Sequence, residues 1–215
     1  MTGLTEFQAE VAQSFLMSDT DKYFALAGGG ALLVHGISNR PTQDLDFFTS
    51  HPTFAIESGF NNLVGLSASK GWTIEAISES NSFRRAIITG PETLVVDLAL
   101  DSALILNPVE TPIGLVLDPL ELSGRKLLAL FDRAAARDFV DVFALAKHFD
   151  PDEMVGMATV MDPGFELKVL VSMFKTLQRF SDDDLPADPF DVSEIRTFFA
   201  NWSSRIQQQS SPTGR

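Results

Sequence analysis

The sequence predicts an α+β fold: a small mixed β-sheet with flanking helices, followed by a helical C-terminal part. Two observations carry that expectation. As far as Leu117, short apolar runs bounded by turn residues alternate with stretches of helical periodicity. Beyond it, the helix-start pattern Asp-x-x-Glu recurs at Asp118, Asp150 and Asp191, with proline following the first two aspartates.

The elements follow in chain order. Leu4, Phe7, Val11 and Phe15 recur at steps of three and four, which marks an amphipathic helix from Leu4 to Ser18. "KYFALA" reads as a short buried strand ending at Gly28, "GALLVHG" as a short helix closed by Gly36, and "DLDFF" as a strand. "TFAIESGFNNLVGLSASKG" is expected to form a helix with interruptions, ended by Gly71. "WTIEAIS", "FRRAIIT" and "TLVVDLAL" are three further strands. In "DPLE", Asp118 is the N-cap, Pro119 the first helical residue and Glu121 the capping-box partner; "DPDE" and "DVSE" repeat the pattern. The expected division is an α+β core over 1–117, a helical part over 118–206 and a disordered polar tail over 207–215.

Composition narrows the function classes. A chain of 215 residues allows one ordinary domain or two small ones, and 45% hydrophobic residues suffice for a core. With no cysteine, disulfides, thiolate metal sites and cysteine nucleophiles are excluded. No signal-peptide pattern opens the chain, and its apolar runs fall short of the ~18 residues of a membrane span. A soluble, cytoplasmic protein without a membrane partner is expected. The net charge of -13 weighs against a broad nucleic-acid surface, though not against a local basic cleft.

The first chemical signal is "AGGGALLVHGISNRPTQDLDFF". Gly28, Gly29 and Gly30 end a strand and open a helix, where backbone N–H groups can receive an anion. A tight turn without a ligand explains the glycines equally well. The run fits neither G-x-G-x-x-G, since Leu33 stands at the third glycine's place, nor a P-loop. Asp44 and Asp46, two apart on a strand, point to one side, where their charges repel unless a cation intervenes. Mg²⁺ takes one or two carboxylates and completes its shell with water and substrate phosphates, so the pair beside an anion site suggests a metal-bound nucleoside triphosphate. A solvent-facing acidic edge is the alternative. Asp97, inside an apolar strand, is costly to bury alone and is a candidate third carboxylate; Asp101, at the strand's edge, competes with it.

A second signal is the basic stripe in "GRKLLALFDRAAARDFVDVFALAK". Lys126 and Arg133, seven apart, share a helix face, and Arg137 extends it if the helix is continuous. Such a face can hold triphosphate oxygens, or it can be a solvated face paired with Asp132, Asp138 and Asp141. His35, His51 and His148 show no metal-ligand spacing, and His35 reads as an orienting or packing residue. Arg40 and Thr42 could touch phosphate; for Arg40, bracing of the turn is favoured.

These residues resemble the nucleotidyltransferases of the polymerase-β-like superfamily, in particular the AbiEii-like branch with its toxins of bacterial toxin–antitoxin pairs. The resemblance rests on Gly28, Gly29, Ala31, His35, Gly36, Arg40, Thr42, Asp44 and Asp46, and on Lys126, Arg133, Arg137, Asp138 and Asp141. It implies a nucleotidyltransferase core and transfer of a nucleoside monophosphate from an NTP to an acceptor hydroxyl. It further implies Mg²⁺, two ions during catalysis, held by Asp44, Asp46 and Asp97, with Asp97 able to accept the hydroxyl proton. Gly28, Gly29, Gly30, Arg40, Thr42, Lys126 and Arg133 would bind the nucleotide. The implied partners are an acceptor (tRNA, protein or a small molecule) and a cognate antitoxin. Many relatives carry Ser or Thr where this chain has Gly30, which leaves a catalytically silent binding member as the alternative, beside a small-molecule adenylyltransferase.

Overall fold

The computed structural model describes residues 3–18, 23–51 and 54–210. They fall into two units, Met1–Leu122 and Ser123–Arg215. Among the described residues no helix is long and apolar enough to cross a membrane.

In the first unit seven strands form one sheet: β1 (Ala25–Ala27), β2 (Asp44–Thr49), β3 (Thr73–Glu79), β4 (Phe83–Thr89), β5 (Thr93–Leu100), β6 (Val109–Thr111) and β7 (Gly114–Val116). The order across the sheet is β3-β4-β5-β2-β1-β7-β6. The β2–β5 and β1–β7 pairs are parallel, and the others antiparallel, so the sheet is mixed as expected. Two of its strands, β6 and β7, are additions to the sequence reading.

Helix α1 (Glu6–Leu16) starts at a complete capping box, in which Thr5 Oγ1 accepts from the Gln8 N–H and Gln8 Oε1 from the Thr5 N–H. Its apolar face brings Phe15 onto the sheet, 4.7 Å from Phe47 and 5.2 Å from Phe24 between ring centroids. Phe7 meets Trp72 edge-on at 5.0 Å. Helix α2 (Gly28–Val34) begins directly at the first glycine. Helix α3 (Phe54–Lys70) runs unbroken for 17 residues, whereas interruptions were expected. The reason lies at Gly59: a Cβ there would come within 2.7 Å of the Phe24 ring, so this glycine allows close packing and does not break the helix.

Helix α4 (Pro119–Arg133) starts where the sequence signals it, with Asp118 Oδ1 accepting from the Leu120 N–H at 2.8 Å. Glu121, the expected capping-box partner, has a task the sequence does not show. Its fully buried carboxylate accepts the Ile105 and Leu106 N–H groups at 3.0 and 2.7 Å, which anchors the loop before β6.

The second unit is helical, with α5 (Ala136–Leu145), α6 (Pro151–Met161), α7 (Leu167–Lys175) and α8 (Val192–Ser210). Asp150 forms a full capping box with Glu153, and Asp191 Oδ1 accepts from the Ser193 N–H at 2.7 Å. Its core is aromatic. Phe139, Phe174, Phe198 and Trp202 surround Phe199, and Trp202 is nearly inaccessible. Ile195, Phe199, Trp202 and Ile206 recur on the buried stripe of α8 and carry that helix to Ser210, past the expected start of the tail at residue 207. Residues 211–215 of that tail lie outside the described residues.

Candidate functional site

The pleat of β2 sorts its side chains. Leu45, Phe47 and Thr49 are buried on one face, while Asp44 and Asp46 lie half-buried on the other. Asp46 stands directly opposite Asp97 in the parallel β2–β5 register, and Asp97 opposite Arg85 in the antiparallel β4–β5 register. Opposed residues share a face. One row therefore runs Arg85–Asp97–Asp46 across three strands and ends at Ala27, the residue before Gly28. The sheet thus brings the three predicted aspartates to one face.

Gly28 closes the row. Its φ of +61° is costly for other residues, and a Cβ there would fall on Oδ2 of Asp46. Neither demand can be met by a larger residue, so the glycine turn and the paired aspartates belong to one construction. A Gly28→Ala substitution is expected to cost about 2 kcal/mol, or roughly 4–8 °C in Tm for a chain of this size, as calorimetry would read. Gly29 faces the loop before β2: a Cβ on it would lie 2.9 Å from Thr42 Oγ1 and 3.3 Å from Arg40 Nη2. Gly30 faces inward, towards Leu45 and Leu26 at 3.2 and 3.3 Å. A hydroxyl-bearing Cβ at position 30 would thus project among leucine side chains.

Thr42 aims Asp44. Its Oγ1 donates to Asp44 Oδ1 at 2.7 Å, and its carbonyl accepts from Gln8 Nε2 at 2.8 Å. Gln8 is buried, and it ties α1 to the loop that carries the first aspartate. Arg40 lies against the glycine turn and donates to the Pro41 carbonyl at 3.3 Å, in keeping with a brace. His35 Nε2 bonds the Leu117 carbonyl at 2.9 Å, an orienting role of the kind expected.

Asp97 is nearly buried and gives both oxygens to Arg85, with Nε to Oδ1 at 2.8 Å and Nη2 to Oδ2 at 2.6 Å. Among the described residues no three His, Asp or Glu side chains form a group that could hold a metal ion. Here the Asp97 carboxylate, expected to join Asp44 and Asp46 around an ion, faces a guanidinium. That guanidinium is the positive charge the aspartates face. Its pKa is raised, first by the hydrogen bond and charge of Asp97 and then by the charges of Asp44 and Asp46, so all three carboxylates act on it. A face that draws positive charge this way, with two further carboxylates half-exposed beside it, suits a divalent cation. Neither Arg85 nor Gln8 stood out in the sequence. Arg84, next in the chain, points elsewhere, pairing with Glu79 at 3.0 Å and lying 4.9 Å from the Phe60 ring.

In the second unit, Lys126 Nζ bonds Asp141 Oδ2 at 2.8 Å, and Arg133 clasps Asp138 with two bonds of 2.8 and 2.9 Å. Both aspartates are completely buried. The predicted stripe is not one continuous helix. α4 ends at Arg133, Ala134 takes a φ of +44°, and Asp138 Oδ2 accepts the Ala135 N–H at 3.0 Å to open α5, which places Arg137 on a separate helix.

The family model described as "Nucleotidyl transferase AbiEii toxin, Type IV TA system" matches residues 12–207. No curated protein matches the chain. Among solved structures, an H. pylori protein assigned to the nucleotidyltransferases is 20% identical, with 94% of this chain and 93% of that one covered and a TM-score of 0.62. JHP933 from Helicobacter pylori is also 20% identical, over 96% and 94% of the two chains, at a TM-score of 0.59. MenT4, a nucleotidyltransferase toxin from Mycobacterium tuberculosis H37Rv, is 15% identical over 95% of this chain and 83% of its own, at 0.60. At these identities the likeness is one of fold.

Proposed function

Since the chain belongs to the AbiEii nucleotidyltransferase toxin family, we propose that it moves a nucleoside monophosphate from an NTP to an acceptor hydroxyl on the carboxylate face of its first unit. The observation that carries this reading is the register: Asp46 opposes Asp97, with Gly28 pressed against the Asp46 carboxylate.

In this reading Asp44 and Asp46 would hold Mg²⁺, which when bound neutralises phosphate charge and polarises the reacting oxygens. Thr42 fixes the rotamer of Asp44. The Asp97 carboxylate accepts the acceptor hydroxyl's proton when Arg85 does not occupy it. The acceptor oxygen bonds the α-phosphorus as the bond to pyrophosphate breaks. Such transfer depends mainly on positioning and charge neutralisation, which suits a site made of carboxylates, glycine backbone and arginine. Lys126 and Arg133 keep the nucleotide-binding roles given by the resemblance. The partners proposed are an NTP, an acceptor and a cognate antitoxin.

The test supplies each of the four α-labelled NTPs, with Mg²⁺, to RNA, protein and cationic small-molecule acceptors. Label should enter one acceptor class, and which class identifies the substrate. No incorporation in any combination would remove the transferase reading. A second reading, nucleotide binding without turnover, is favoured by the grip of Arg85 on Asp97. Calorimetry showing Mg²⁺–NTP binding by a protein that incorporates nothing would select it.

A further inference from the structure

We propose that Arg85 is shared between Asp97 and the incoming triphosphate, holding the third carboxylate closed to free divalent ions until nucleotide takes the guanidinium away. The inference rests on the transferase reading above and deepens it.

Three features of the first unit support it. Both Asp97 oxygens are engaged by Arg85, so a metal approaching Asp44 and Asp46 finds the third carboxylate taken and a positive charge beside it. The Arg85 side chain is 45% exposed while Asp97 is 7% exposed, so the arginine is the partner with room to move and the carboxylate is fixed. A planar guanidinium that grips a carboxylate with two parallel bonds can grip phosphate oxygens the same way. Close by, Phe83 lies 5.8 Å from the Arg85 guanidinium, and Asp44 and Asp46 act on its charge. Arg85 is therefore a positioning residue for Asp97 in the empty site and a phosphate contact in the loaded one.

The experiment makes two measurements on the full chain, neither of them of turnover. Arg85→Gln should bind Mn²⁺ in the absence of nucleotide about tenfold more tightly than wild type, because a competing charge has gone. The same variant should bind a fluorescent NTP analogue in EDTA several-fold more weakly, because a phosphate contact has gone. A purely structural role would weaken both, since a damaged site loses metal and nucleotide alike. Adding Asp97→Asn to Arg85→Gln should cancel most of the gain in Mn²⁺ affinity. Should Arg85→Gln fail to fold, Arg85→Lys serves: it keeps the charge but loses the paired bonds, and it should shift both affinities in the same directions by less. Unchanged or weaker Mn²⁺ binding, or unchanged metal-free nucleotide binding, overturns the proposal. Failure of the transferase reading shows separately, as absence of label transfer by the wild type whatever the metal titration gives.

Discussion

An Asp46→Asn variant is expected to lose nucleotidyl transfer by about a hundred- to a thousandfold or more, while its fold survives. The activity estimate follows from what one preorganised charged group is worth when removed from a phosphoryl-transfer site. The fold should survive because asparagine keeps the shape of the side chain pressed against Gly28 and removes a negative charge opposite Asp97. Relief of that like-charge repulsion can offset the bonds lost. Label incorporation measured beside a thermal melt separates the two effects. A variant with normal transfer would show that Asp46 does not carry charge to the phosphates. One that loses activity and Tm together would make the residue structural.

The second large effect is on stability. Lys126→Met should destabilise the helical unit by up to about 3–5 kcal/mol, because it takes an ammonium away from a buried carboxylate. Asp141 is wholly inaccessible and Lys126 only 14% exposed, so water cannot substitute for the lost ammonium. The double variant Lys126→Met, Asp141→Leu should recover most of the loss, because the buried charge disappears with its partner. Denaturant unfolding of the three proteins measures this. If the double variant is stable but no longer binds Mg²⁺–NTP, Lys126 has the nucleotide role that the resemblance implies. Full binding would confine it to bracing Asp141.

Much of this was legible in the sequence, for identifiable reasons. Asp44 and Asp46 announced themselves because the strand period is two and Leu45 and Phe47 mark the opposite face. Asp97 was visible as a charge in an apolar strand. Its partner was not, because Arg85 is one of two adjacent arginines and only the pairing of β4 with β5 decides which meets the aspartate. Strands β6 and β7 have three residues each, too few for alternation to register. The break between α4 and α5 lies in "RAAAR", where every residue favours helix. It is imposed by Asp138, which captures the Ala135 N–H and the Arg133 side chain, a contact no local propensity contains. The resemblance puts Ser or Thr at the place of Gly30, where a Cβ would face Leu26 and Leu45, because the turn of α2 rotates successive α-carbons.

The chain has two tryptophans, Trp72 against Phe7 in the sheet unit and Trp202 in the aromatic cluster of the helical unit. Each unit therefore carries one tryptophan, half-exposed in the first and fully enclosed in the second. Replacing either by phenylalanine would leave a single tryptophan, which can be excited selectively over Tyr23, so melting of the sheet and of the helices could be followed optically as separate events in one polypeptide.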